Sequence, residues 1–204
     1  MKNLFNRIKY LIATPHVEYQ VIDVEEGNTH AKTLTHHVLP LLLIPVTFSF
    51  IGGVIICNGG YGWEYDVLYA LISVLSICMR LVFNQIFLLL GGIYITSLLV
   101  NIMAGGFGGQ KNFNRAFSLV AYAYTPIFLA GIFHIYSDFL WLFFAVGSYG
   151  LYLLVAGLRP MMKPADEKAN NYSTVAFLVA MVVFVILWKT LSLMFLYIDS
   201  FFLY

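Results

Sequence analysis

Five separate runs of roughly twenty apolar residues dominate this chain, and they constrain it more than any other feature. A helix needs about 20 such residues to cross roughly 30 Å of hydrocarbon, where every backbone N–H and C=O must be paired internally. The runs cover residues 35–57, 81–103, 115–135, 139–158 and 173–197 of a 204-residue chain. With 61% hydrophobic and 10% charged residues, the composition lies far from a soluble domain of about 25% charge. The expected fold class is all-α: a polytopic membrane helical bundle forming one domain over residues 1–204.

A sixth apolar stretch, residues 65–79, is shorter than a span and is bracketed by Asp66 and Arg80. Charge placement decides against its crossing, because lysine and arginine collect at the cytoplasmic ends of spans. With five spans and the N-terminus inside, the inner segments hold Lys2, Arg7, Lys9, Lys32, Lys111, Arg115, Arg159, Lys163 and Lys168. Only Arg80 and Lys189 fall elsewhere. Six crossings would turn Lys111 and the 159–168 cluster outward. Tryptophan supplies a separate check, since aromatic belts mark interfaces, and Trp63, Trp141 and Trp188 all fall at outer ends. Residues 65–79 then lie along the outer interface or extend the second span. The C-terminus is then expected outside.

The cytoplasmic segment 1–34 opens with "MKNLFNRIKYLIATP", whose Leu4, Phe5, Ile8, Leu11 and Ile12 recur at helical spacing among Lys2, Arg7 and Lys9. It reads as a basic amphipathic interfacial helix stopped by Pro15, or as an ordinary helix packed on the bundle. Residues 18–30, "EYQVIDVEEGNTH", are polar and acidic and read as water-exposed. The first apolar run starts too far from the N-terminus for a cleavable signal, so the first span is expected to act as an uncleaved anchor.

One stretch is both glycine-dense and basic, "GGFGGQKNFNRAF" at 105–117. Neither G-x-x-x-x-G-K-[ST] nor G-x-G-x-x-G between strand and helix is present, so the stretch is a turn between spans, not a nucleotide cradle. Gly105 and Gly106 are expected to end the second span in left-handed conformations, and Asn112 or Asn114 to cap the third. Lys111 and Arg115 would sit at inner headgroups, where each basic residue is worth roughly 1 kcal/mol against anionic lipid.

Other constellations are thinner. His30, His36 and His37 near Glu25 and Glu26 match no metal-ligand spacing. Arg80, Asn84, Gln85 and Asn101 on the second span could line a polar path; otherwise Asn84, Gln85, Asn101 and Thr96 bond across helices for roughly 0.6–2 kcal/mol each and Arg80 snorkels to the outer headgroups. Gly147, Gly150 and Gly157 let a neighbour approach the fourth span closely, which also suggests a dimer face. Cys57 and Cys78 have no redox or zinc spacing. His134, Ser137 and Asp138 fall in a short outer turn where nothing excludes water. No enzyme activity, cofactor or metal is expected, and a net charge of +1 gives nucleic acid no electrostatic support.

"FGGQKNFNRAFSLVAYAYTPIFLAGIF" and "GSYGLYLLVAGLRPMMKPADEKANNYS" together resemble the Yip-domain family (Yip-one type, Ypt/Rab-interacting proteins), its bacterial branch in particular. The resemblance rests on Phe107, Gly108 and Gly109, on Tyr122 or Tyr124 with Pro126, and on Gly147, Tyr149, Tyr152 and Leu153. It implies five spans, a cytoplasmic N-terminus and a place in a bacterial cytoplasmic (inner) membrane. Eukaryotic members are linked to Golgi and endoplasmic-reticulum traffic and to small GTPases; bacterial-type members carry no assigned activity. The expectation is a non-catalytic membrane scaffold or adaptor. Its inner face would use Phe107, Gly108, Gly109, Lys111, Asn114, Arg115, Arg159, Lys163 and Lys168 toward membrane lipids, a protein partner or a second copy. Tyr122, Pro126, Gly147, Tyr149, Gly150 and Tyr152 would serve packing. A small-solute or ion permease using Arg80, Asn84, Gln85 and Asn101 is the alternative.

Overall fold

The computed structural model describes residues 4–25, 29–60, 67–135 and 137–202. Ten α-helices follow one another: α1 (Leu4–Ala13), α2 (Pro15–Val24), α3 (His30–Thr33), α4 (Leu39–Gly60), α5 (Val67–Ala104), α6 (Phe113–Ala123), α7 (Thr125–Ala130), α8 (Leu140–Gly147), α9 (Tyr149–Met162) and α10 (Asp166–Phe202). They supply five helical stretches long and apolar enough to cross a membrane: His30–Ile55, Val74–Phe107, Phe113–Ile135, Trp141–Met162 and Asp166–Met194.

The third stretch is central. Of its most apolar part 78% is buried, against 39% or less in the other four. Phe117, Leu119, Val120 and Phe128 are fully enclosed there, packed among Ile93, Leu153, Leu158 and Tyr172 from the second, fourth and fifth spans.

Proline shapes two spans. Pro126 has no N–H to return to Tyr122 O, so the helix breaks into α6 and α7, and the Thr125 hydroxyl takes over that carbonyl at 2.6 Å. Ahead of Pro40 the ladder of the first span widens into a π turn over Leu34–Val38. Close approach is met by glycine: a Cβ on Gly131 would lie 2.5 Å from Pro45 Cβ, and one on Gly150 would lie 2.6 Å from Ala123 O.

Several expectations need correction. The open choice for residues 65–79 resolves, from Val67 onward, into one continuous helix with the second span; residues 65 and 66 lie outside the described residues, as does Trp63. Pro15 does not end the amphipathic helix in a loop. It occupies the first turn of α2, where its missing N–H costs nothing. The 18–30 segment is therefore not simply water-exposed, since Glu18, Tyr19 and Ile22 are buried. Neither Gly105 nor Gly106 is left-handed. The chain runs through a 3-10 turn, Gly105–Phe107, and Gly108 takes the left-handed conformation at φ 71°. Gly150 and Gly157 are spent inside the protomer, Gly157 against Leu119 and Tyr19, so they do not form a face for a second copy.

A charge-paired plate at the loop end of the bundle

The second span ends in a Schellman arrangement. Gly109 N–H donates to Ala104 O at 2.8 Å and Gly108 N–H to Gly105 O at 3.3 Å. That turn presents its free edge to the loop after α9. Gln110 N–H donates to Met162 O at 2.9 Å, and Ala165 N–H donates to Phe107 O at 3.2 Å. A Cβ on Gly109 would sit 2.8 Å from Met162 O, so glycine makes the backbone pairing possible. The Phe107 ring stacks on Tyr172 at 4.9 Å, and the Tyr172 hydroxyl donates to Val100 O at 2.6 Å. Residues 105–115 and 159–168 thus share one end of the bundle.

The third component is the N-terminal helix pair. α2 carries Asp23 into the seam between the two loops, where its carboxylate meets Arg115 Nε at 2.8 Å and Lys163 Nζ at 2.6 Å. Only 8% of the Asp23 side chain is exposed. Arg7, which helical spacing in α1 turns inward, is buried. It pairs with Glu18 at 3.2 Å and with Glu25 at 2.5 Å, and its guanidinium lies 5.7 Å from the Tyr122 ring centroid. Three cations (Arg7, Arg115, Lys163) face three anions (Glu18, Asp23, Glu25). A buried charge without a partner is strongly destabilising, and equal numbers here leave none.

Beneath this plate, Tyr19 is sealed in the core with its hydroxyl 3.5 Å from Leu119 O. Burial pushes the Tyr19 hydroxyl well above the usual phenol range, so it stays neutral. The His37 ring lies 4.3 Å from that of Tyr122, and its Nε2 is 3.0 Å from Thr125 Oγ1. Because Thr125 gives its proton to Tyr122 O, the hydroxyl can only accept from histidine, which assigns the Nε2–H tautomer.

The other expected residues are placed as follows. Lys111 is exposed and folds its stem over Gly105. Asn112 caps α6 by accepting from Arg115 N–H at 3.2 Å. Asn114 Oδ1 accepts from His30 N–H at 3.1 Å. Arg159 donates to Asn170 Oδ1 at 2.7 Å, and Lys168 donates to Gly106 O at 3.4 Å. Tyr149 donates to Ile12 O at 2.9 Å, tying the fourth span to α1. Its ring lies 5.3 Å from that of the exposed Tyr152. Gly147 meets only Ile127, at an ordinary 3.6 Å.

Arg80, Asn84, Gln85 and Asn101 do not converge. Sixteen residues separate Gln85 from Asn101 on one helix, about 24 Å at 1.5 Å per residue. None of the four lines the cavity of about 380 Å³ between the third, fourth and fifth spans, whose walls include Tyr124, Phe143, Phe144 and Phe184. The three N-terminal histidines also part company: His30 turns to Asn114, His36 to Thr35, and His37 into the core. Among the described residues no three His, Cys, Asp or Glu side chains gather as a metal site.

Arg7, Glu18, Asp23 and Glu25 were not among the expected site residues. One signal was available: Glu18 and Glu25 lie seven residues apart and share a helical face, opposite a surplus of nearby cations.

Comparison with known proteins agrees with this architecture. The chain is 26% identical over 183 residues to the Escherichia coli K12 inner membrane protein YohC, covering 87% of this chain and 89% of that protein. The YohC of E. coli O6:H1 aligns with the same figures. No solved structure matches. The family model for the Yip1 domain matches residues 9–187, which takes in α2, the loop pair, four spans and most of the fifth, and this chain therefore belongs to the Yip1 domain family of integral membrane proteins.

Proposed function

We propose that this protein is a non-catalytic scaffold or adaptor of the bacterial cytoplasmic membrane, with its N-terminus inside and its C-terminus outside. Its loop face binds lipid headgroups or a protein partner. One observation carries this reading: two loops and the N-terminal helix pair are fastened into a single plate by backbone hydrogen bonds and the Asp23 ion pairs. A plate of that kind holds a fixed shape, as a docking surface requires. Lys111, Arg159 and Lys168 remain exposed around it, at the depth where basic side chains meet anionic headgroups. The E. coli relative is named an inner membrane protein, which supports the location.

The test is affinity purification from native membranes of the wild type and of a Lys111→Glu, Lys168→Glu variant, both positions lying outside the Asp23 cluster. Loss of co-purifying anionic lipid or protein from the variant is the expected result. Identical recovery from both would defeat the docking surface.

A further inference from the structure

Between the end of α2 and the start of α6 lies a partly open cavity of about 210 Å³, lined by Ile22, Asp23, Glu25, Asn112, Asn114 and Arg115 among others. We propose that it seats the ethanolamine-phosphate headgroup of a zwitterionic phospholipid, with phosphate against Asn112, Asn114 and Arg115 and ammonium against Glu25. This deepens the reading of the loop face as a lipid-binding surface and rests on it.

The donors come first. The side-chain carbonyls of Asn112 and Asn114 are spent on Arg115 N–H and on His30, but among the described residues nothing accepts from either side-chain amide. Arg115 uses Nε on Asp23 and Nη1 on Gln110, which leaves Nη2 as a further donor. All three side chains surround the N-terminus of the eleven-residue α6, whose dipole favours negative charge. Glu25 offers the opposite pole. One of its oxygens holds Arg7, and the other has no partner among the described residues.

The charge count selects a zwitterion. Among the described residues the cavity's own charges are the carboxylates of Asp23 and Glu25 and the single cation Arg115, a lining that disfavours an anion alone and suits a ligand carrying an ammonium as well as a phosphate. A primary ammonium donates hydrogen bonds to a carboxylate; a quaternary ammonium has no N–H to give. Location selects a lipid over a solute. The cavity lies at the loop end of the third span, the end that the proposed topology sets among the inner headgroups, and Ile22 and Met161 contribute an apolar wall.

Full-length protein purified in mild detergent, then incubated with equimolar phosphatidylethanolamine, phosphatidylcholine and phosphatidylglycerol, tests this by native mass spectrometry. The expected result is retention of phosphatidylethanolamine in roughly tenfold excess over phosphatidylcholine, the scale of a charge-assisted hydrogen bond. Asn112→Asp with Asn114→Asp keeps both accepting oxygens and a good helix cap, yet sets carboxylates against the phosphate. This variant should unfold at the wild-type temperature and lose most of the bound lipid. Glu25→Gln should reduce the preference for phosphatidylethanolamine over phosphatidylcholine. Equal retention of all three lipids by the wild type would overturn the proposal, as would undiminished retention by the Asn→Asp variant. Preference for phosphatidylglycerol would overturn it while leaving the basic docking surface intact. Binding of free phosphoethanolamine as tightly as the intact lipid would overturn the assignment to a lipid.

Discussion

Asp23 and Lys163 meet at 2.6 Å across the seam between the N-terminal helices and the loop after the fourth span, and the same carboxylate holds Arg115. One side chain therefore joins three segments that are distant in sequence. Asp23→Asn should lower stability by about 1–2 kcal/mol. Breaking a buried pair costs roughly 3–5 kcal/mol, but Arg115 and Lys163 are partly exposed and water takes up part of the loss. Thermal unfolding in detergent should show a midpoint lower by several degrees, with Lys9→Gln, at an exposed position, as the neutral comparison.

Arg7 is the more severe case because both it and Glu18 are buried. Arg7→Ala removes the buried guanidinium that meets Glu18 and should cost about 3–5 kcal/mol, loosening α1 and α2 first. Limited proteolysis should then cut within the first 25 residues of the variant and spare the wild type. Arg7→Met combined with Glu18→Leu replaces the pair with apolar bulk and should recover most of the protection; no recovery would mean that the pair is not what holds these helices.

The glycines of the fourth span make a sharper contrast. Gly150→Ala drives a Cβ to within 2.6 Å of the Ala123 carbonyl, a backbone atom, whereas Gly147→Ala meets only Ile127 at 3.6 Å. The first should destabilise by about 1–3 kcal/mol through overpacking and the second should be nearly neutral. Unfolding midpoints that fall together would show that the third and fourth spans are not in that register.

How far the sequence speaks depends on the type of interaction. The spans were legible because crossing hydrocarbon demands length and apolarity, which are local properties of residues such as 81–103 or 173–197. The Asn112 cap was legible for the same reason. The plate was not. Arg7 sits among Lys2 and Lys9 in an amphipathic helix, and nothing local distinguishes the cation that turns inward. Glu18, Asp23 and Glu25 look like any polar linker until α2 docks and hands Asp23 partners 92 and 140 positions downstream, and Glu18 and Glu25 a shared partner just upstream. The left-handed position moved from Gly105 or Gly106 to Gly108 because a 3-10 turn carried the helix three residues further; which glycine ends a helix depends on what the following loop pairs with.

Gly108 and Gly109 offer a test of that turn. Gly108→Ala forces a side chain into a left-handed conformation, for about 1 kcal/mol. Gly109→Ala should cost more, because its Cβ would collide with Met162 O and break the Gln110 to Met162 hydrogen bond. Amide hydrogen exchange should show lost protection at Gln110 and Ala165 in Gly109→Ala. Unchanged exchange at both would show that the two loops are not joined.

Orientation is tested by thiol labelling. In a chain freed of Cys57 and Cys78, single cysteines at Gln110, Asp138 and Glu167 should react from inside, outside and inside respectively. Reaction of positions 110 and 167 from opposite sides would contradict the shared loop end.

The backbone bonds that join Gln110 to Met162 and Ala165 to Phe107 have a mechanical corollary. They work like the rivet of a pair of tongs: the second and third spans are pinned to the fourth and fifth at one end of the bundle, so any swing between the two pairs pivots there and opens toward the other end. The aromatic-walled hollow beside Phe143 and Phe184 lies between the third span and the fourth and fifth, on the line along which such a swing would part them.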